Sequence, residues 1–470
     1  MTTMVSKNLW RHIYSTSIRY FIERSFRLVN PGSSYLHNWH IDAIGEALQE
    51  VWRGNIGRLI VNIPPRYLKS FCVSVAFPAW VLGNSPEKRI VVASYSEKLA
   101  IKHSLDCRMV MQSTWFRKIF QNCHLSTEQN EKYKFSTTKN GYRFATSVGG
   151  TLTGEGGDIL IVDDPHSPQQ VLSANYRQKV VDWYGNTFSS RLDDKKKGAI
   201  IVVMQRLHSN DLTGHLLERG RDSWVHLNLP VLFEKETTIR IGNFRKDISG
   251  GEFLFPRRES NDEIEKIKLD MGSYFFNAQY QQKPMASGCG MVREEWLGEF
   301  SEDYKFNGIY LSFDTAIKSG TNNDPTVCTV WGDYENKYYL LEVFRKWLEY
   351  PELKRESIEL LKKWKPVYVL IEDKASGQTL IQDLRKDLRY NIIPIKVTKD
   401  KITRFAAVTP LFESGLVLLR KNGSWLFDYR YEILSFPHGA HDDQVDSTSQ
   451  FLDWISRRNG RGREIRLARL

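Results

Sequence analysis

The chain has 470 residues, 41% hydrophobic and 26% charged, proportions that exclude wholesale disorder and allow two or three domains with their own cores. It holds no run of about 18 apolar residues, so no transmembrane helix is expected, and the opening MTTMVSKNLW lacks the apolar stretch of a signal peptide. The formal net charge is +11, but the last fourteen residues, RRNGRGREIRLARL, hold six Arg and one Glu. The remainder is therefore only mildly basic, a weak pointer to nucleic acid, and the tail suits DNA, a partner protein or plain solvation.

Up to about residue 228, four short runs are apolar almost throughout: RLIVNIP (58–64), KRIVVASYS (88–96), DILIVDDP (158–165) and GAIIVVMQR (198–206). They are β-branched and bounded by Gly, Pro or charge, the pattern of parallel strands covered on both faces by helices. SEKLAIKHSLDCRMVMQ and QQVLSANYRQKVVDWYGNTF read as two of those helices. Residues 229–303 are richer in turns and suggest a linker or accessory region with one helix near 260–282. From 304 the order is strand, loop, strand, tight turn at DYENK, strand, which predicts an antiparallel meander. A helix (PELKRESIELLKKW), the strand VYVLIED (367–373) and a late helix after HGAHDDQVD complete a mixed α/β domain to about residue 456, with the basic tail at 457–470. The five cysteines (Cys72, Cys107, Cys123, Cys289, Cys328) are scattered, so reduced intracellular thiols are expected rather than zinc or disulfides.

Two sets of residues carry chemistry. In NIPPRYLKS (62–70), Lys69 and Ser70 open the helix that follows a buried strand, the setting of a phosphate-binding loop. Lys69 would neutralise the β and γ phosphates of a nucleotide, and the Ser70 hydroxyl would ligate Mg²⁺. The loop has no glycine; Leu68 stands where one is expected, at a cost of about 1–2 kcal/mol if the position needs a left-handed backbone. The alternative is a surface turn with a solvated lysine. ILIVDDP (159–165) sets Asp163 and Asp164 at the C-terminal end of a strand, where parallel α/β sheets bind ligands. Asp163 would hold the nucleotide's Mg²⁺ through water and Asp164 would act as general base, unless the pair merely caps a helix. GGTLTGEGG (149–157) reads as a mobile loop beside this site. Gln205 and Arg206 either sense the γ-phosphate or form an exposed strand end.

The second set is acidic. Asp314 ends the first strand of the third region, Glu372 ends the fourth, and Asp442, Asp443 and Asp446 open the late helix, at least two of them on one face. Carboxylates gathered at neighbouring strand ends repel one another unless a cation lies between them. A pair of Mg²⁺ or Mn²⁺ ions about 3.5–4 Å apart, as in phosphodiester hydrolysis, is the economical reason for the cluster. Taken singly, each acid is better explained as structural, Asp442 and Asp443 as helix caps. Together with the meander, the set resembles the ribonuclease-H-like nuclease fold.

The order P-P-R-x-x-K-S, T-G-x-x-x-D leading into I-V-D-D-P, Q-R-x-H-x-x-D-L (205–212), Q-Y-Q-Q-K-P (279–284) and H-D-D-Q-V-D resembles the large subunit of tailed-phage terminases over most of the chain. The resemblance implies an α/β protein in three parts. These are an N-terminal P-loop NTPase domain (ASCE/RecA-like parallel sheet, 1–228), a small linker region (229–303) and a C-terminal ribonuclease-H-like mixed-sheet nuclease domain (304–456). It further implies an ATPase that drives double-stranded DNA into a procapsid and a metal-dependent endonuclease that cuts the concatemer. The cofactors would be ATP and Mg²⁺, with Mn²⁺ an option in the nuclease. Implied partners are the portal or procapsid, a small terminase subunit and further copies in a ring, in the host bacterial cytoplasm and without a membrane. By the same resemblance, Arg66 and Arg143 compete for the role of the arginine that stabilises the transition state. Asp314, Glu372 and Asp443 match the metal-binding acids, with Asp442 the rival for the third. Three other readings remain open: a helicase-like translocase whose last domain only grips DNA, an inactive prophage-derived assembly protein, and a recombination nuclease or integrase.

Overall fold

The computed structural model describes residues 2–152, 154–285, 290–315, 325–374, 376–387, 390–439 and 441–467. The chain forms two compact units, Met1–Glu265 with Phe275–Ser287, and Lys266–Tyr274 with Gly288–Leu470.

The first unit is built on an eight-stranded sheet. Its strands are β1 (Arg58–Asn62), β2 (Arg89–Ser94), β3 (Leu125–Asn130), β4 (Lys134–Thr137), β5 (Tyr142–Ser147), β6 (Ile159–Asp163), β7 (Ala199–Met204) and β8 (Val225–Asn228), in the order β3-β4-β5-β2-β6-β7-β1-β8. From β5 to β8 every pairing is parallel; β3 and β4 add an antiparallel margin. The four apolar runs are β1, β2, β6 and β7. Every residue of AIIVVM in β7 is buried, as a strand covered on both faces requires. On one face Ile60, Val91, Leu160 and Val202 pack with Val180, Trp183 and Phe188. Those last three come from a helix at Ala174–Trp183 and the π-helical turn Tyr184–Phe188. That helix starts five residues later than QQVLSANY suggests, because the Ser173 hydroxyl accepts the Tyr176 N–H and sets its first turn there.

The stretch from 229 to 303 contains four further short strands, β9 (Leu232–Phe233), β10 (Thr237–Ile241), β11 (Phe244–Ile248) and β12 (Glu252–Phe253), then β13 (Gly298–Phe300). Its helix, Asn261–Gln279, opens with a capping box between Ser260 and Glu263 and breaks at Gly272, whose φ is 75°.

The second unit carries a seven-stranded mixed sheet in the order β13-β19-β16-β15-β14-β17-β18. Here β14 is Gly308–Asp314, β15 Thr326–Tyr334, β16 Lys337–Lys346, β17 Tyr368–Glu372, β18 Ile392–Ile395 and β19 Val417–Arg420. The first three form the expected antiparallel meander, and β17 joins β14 in parallel. The long helix Asp443–Leu467 packs on β14 and β15. Cys72, Cys107, Cys123 and Cys328 are buried and free, while Cys289 lies outside the described residues. No described helix is long and apolar enough to cross a membrane.

Candidate active sites

In the first unit the loop after β1 contains two left-handed residues with side chains, Arg66 (φ 71°) and Leu68 (φ 63°). Between them Tyr67 is buried, its ring 5.7 Å from that of His40 and its hydroxyl donating to Glu259 Oε2 at 2.6 Å. The burial of one large side chain thus offsets the backbone strain on either side of it, which is how the turn forms without glycine. The following helix starts at Lys69 and passes through a π-helical segment, Phe71–Ala76, before becoming regular at Phe77.

This geometry delivers Lys69 and Ser70 to the end of β6. Lys69 Nζ lies 2.5 Å from Gln205 Oε1 and 3.0 Å from Asp164 Oδ2. Ser70 Oγ donates to Asp163 Oδ1 at 2.8 Å, and Ser74 Oγ, one turn further on, donates to Oδ2 at 2.6 Å. His103 Nδ1 lies 3.3 Å from the same Oδ2, and burial lowers its pKa to about 4, so the ring is neutral at pH 7. Burial raises the proton affinity of Asp163, against the opposing pull of Ser74, Lys69, Ser70 and Arg143. Asp164 is raised by burial too, and by the charge of Asp163, with Lys69 opposing. Asp164 itself is left-handed at φ 47°. The Ser70 hydroxyl and Asp163 carboxylate form an oxygen-only donor pair, which fits Mg²⁺ shared with phosphate and water.

The arginines differ sharply. Arg66 is exposed and has no hydrogen bond or ion pair among the described residues. Arg143 is fully buried; Nη2 donates to Ser74 O at 3.1 Å, while Nε and Nη1 bond nothing among the described residues. Gln205 and Arg206 are not an exposed strand end, because both are buried. Arg206 Nε sits 3.0 Å from both oxygens of Asp211, which also accepts the N–H groups of Leu207, His208 and Gly214. The Arg206 N–H in turn donates to Gln282 Oε1 at 2.9 Å, so the Q-R-x-H-x-x-D-L and Q-Y-Q-Q-K-P segments form one knot at this strand end. In the loop 149–157, Glu155 pairs with Lys134 and Gly156 O accepts the Tyr142 hydroxyl.

In the second unit, β14 and β17 are neighbours in register, Phe313 opposite Ile371, so Asp314 and Glu372 leave the sheet side by side. A buried polar seam fixes the late helix against them. Ser447 Oγ donates to Ser312 O at 2.7 Å and accepts the Thr329 N–H at 3.3 Å, Ser312 Oγ donates to Ser447 O at 2.7 Å, and Gln450 Nε2 donates to Ser312 Oγ at 2.9 Å. Asp443 lies one turn before Ser447, and Asp446 immediately before it. Glu432 holds the helix start, accepting the N–H groups of Gln444 and Val445.

Glu372, Asp443 and Asp446 therefore lie near enough to Asp314 for their charges to act on it. The Asp314 carboxyl is pushed well above the usual range, first by burial and then by the charges of Asp446, Glu372 and Asp443. Asp446 is held by Arg404 at 2.7 Å and Lys401 at 2.9 Å, and Lys401 also reaches Asp442 at 2.5 Å. Glu372 pairs with Lys374 at 2.7 Å, and Arg345 lies 3.8 Å from Asp443. Among the described residues, no three His, Cys, Asp or Glu side chains converge closely enough to hold a metal ion as they stand. The donor set is nonetheless all carboxylate oxygen, and the mutual repulsion at Asp314 is what a divalent cation relieves, so the residues fit Mg²⁺ or Mn²⁺.

Sequence reading missed Ser74, His103, Lys401, Arg404 and the Ser312–Ser447 seam. Only Ser74 left a trace, four residues after Ser70 on one helix.

Residues 311–453 match the family model described as the terminase RNaseH-like domain. No curated protein sequence matches the chain. Among solved structures, the chain is similar to the large terminase of a thermophilic bacteriophage in complex with ADP, at 12% identity and TM-score 0.46, covering 87% of this chain and 98% of that one. It is similar to the HK97 bacteriophage large terminase at 14% identity and TM-score 0.39, covering 86% and 90%. The Mn-soaked human cytomegalovirus terminase nuclease domain aligns at 11% identity and TM-score 0.27, covering 35% of this chain and 94% of that one.

Proposed function

We propose that this chain, whose residues 311–453 match the terminase RNaseH-like domain model, is a terminase large subunit. It would hydrolyse ATP to translocate double-stranded viral DNA into a procapsid, and cleave that DNA with a metal-dependent endonuclease. The observation that carries the reading is the cluster of Asp314, Glu372, Asp443 and Asp446, in a chain that also sets Lys69 against Asp164 and Gln205.

On this reading the ATP-hydrolysing part is residues 1–228. Lys69, now on Gln205 and Asp164, would neutralise the phosphates, and Ser70 and Asp163 would hold Mg²⁺. Asp164 takes the proton of the attacking water, a role its raised proton affinity favours. Arg66, exposed and without a partner among the described residues, suits the developing charge of the transition state better than Arg143. Arg143 supplies a fixed positive charge towards Asp163. In the nuclease part, 304–456, Asp314, Glu372 and Asp443 would hold the divalent metal with Asp446 beside them. Metal bound there would activate water and stabilise the leaving oxygen of a phosphodiester. Asp443 is preferred to Asp442 because it is buried and its charge acts on Asp314, whereas Asp442 is taken up by Lys401. Portal or procapsid, a small terminase subunit and a ring of copies in the host bacterial cytoplasm complete the proposal.

The test is phosphate release by the full chain with and without DNA and procapsid. Stimulated release that Lys69→Ala abolishes is expected. Absence of any release from the wild type would favour an inactive assembly protein and overturn the motor.

A further inference from the structure

A groove of about 220 Å³ opens beside the acid cluster of the second unit. One wall is the loop that leaves β18, whose last residue, Ile395, is the register partner of Glu372. The other wall is the late helix from Ser449 onward, less than one turn past Asp446. Two lining residues tie the groove to the acids. Gln450 Nε2 donates to Phe313 O at 3.3 Å, next to Asp314, and Arg404 holds Asp446 Oδ1 at 2.7 Å.

Four cations and one carboxylate line this groove. Arg404 is committed to Asp446, and Arg457 to the carboxylate, Asp453, at 2.8 Å. Lys396 and Lys399 are exposed, with no ion pair or hydrogen bond among the described residues. A loop beside four carboxylates lowers its energy by turning lysines onto them, as Lys401 does. Lys396 and Lys399 do not, and they leave two positive charges at the groove for an anion from outside.

We infer that this groove holds the phosphate backbone of the DNA strand that reaches the acid cluster, with Lys396 and Lys399 each neutralising one phosphate. The inference rests on the nuclease reading of that cluster. An extended polyanion is favoured over a compact one because the cations lie along a groove open to solvent.

The experiment compares the full chain with a Lys396→Ala/Lys399→Ala variant, both surface substitutions. A fluorescent DNA duplex is titrated without divalent metal, so that binding is read apart from cleavage. Loss of two phosphate contacts makes the slope of log affinity against log salt shallower by about 1.8. The wild-type advantage then shrinks about twelvefold between about 50 and 200 mM salt. In Mn²⁺-dependent nicking the loss falls on KM rather than kcat. Equal slopes overturn the inference, including the case in which the groove serves an acidic protein surface. A wild type that never nicks DNA while the slopes differ removes the nuclease reading and leaves the groove standing.

Discussion

Replacing Leu68 tests the phosphate-loop geometry through a reversal of the usual order of two small residues. Leu68 is half-buried with φ 63°, a conformation that strains any residue with a Cβ by about 1–2 kcal/mol. Leu68→Gly and Leu68→Ala remove nearly the same packing, so their difference isolates the backbone. At an ordinary position alanine is the more stable by about 0.5–1 kcal/mol, because glycine loses more chain entropy on folding. Here the released strain outweighs that entropy, and glycine should be the more stable by about 0.5–1 kcal/mol. In a unit of this size that is roughly 1–2 °C in Tm. The assay is calorimetry of the full chain, following the transition that an ATP analogue raises. Alanine equal to or above glycine would refute the left-handed assignment, and with it the account of a turn anchored by Tyr67.

Two further predictions concern stability. Burial lowers the pKa of His40 to about 3 and those of His103 and His166 to about 4, against 6.5 in the unfolded chain. The folded state therefore binds fewer protons, and the stability these rings contribute is present above pH 6.5 and lost as pH falls towards 4. The slope is at most about 4 kcal/mol per pH unit for the three. Asp163 and Asp164, with raised proton affinities, act in the opposite direction and reduce it. The nucleotide-responsive transition should fall in Tm between pH 7 and 5, and His166→Gln should flatten the fall; a level wild-type profile contradicts this. In the second unit, Ser447→Ala removes the buried partner of the Thr329 N–H and hydroxyl, leaving the hydroxyl only Trp331 Nε1, at about 2–4 kcal/mol. It should reduce DNA nicking more than ATP hydrolysis, as read by unfolding and by the two activities side by side.

What could be read beforehand depended on which interactions were local. β1, β2, β6 and β7 announce themselves as β-branched runs, and strands in a parallel sheet bring their C-terminal ends together. That is why Ser70, Asp163 and Asp164 meet. β3 (LSTEQN) and β4 (KFST) are mostly polar and owe their shape to pairing, β3 with β4 and β4 with β5, rather than to an apolar pattern of their own. The left-handed Leu68 depends on His40 and Glu259, both far away in the chain, clasping Tyr67. Arg206 looked free to meet phosphate because its partner Asp211 and the reach of Gln282 emerge only in the fold. Likewise the acids of the late helix were visible as HDDQVD. Their orientation towards Asp314 is set by Ser447 and Gln450, whose role is apparent only when the helix lies on β14.

The most direct test of the central claim is digestion of a supercoiled plasmid in Mn²⁺ by wild type, Lys69→Ala and Asp314→Ala. The account predicts nicking by the first two and none by the third. Persistent cleavage by Asp314→Ala would contradict it, because the acid at the centre of the cluster would then be dispensable.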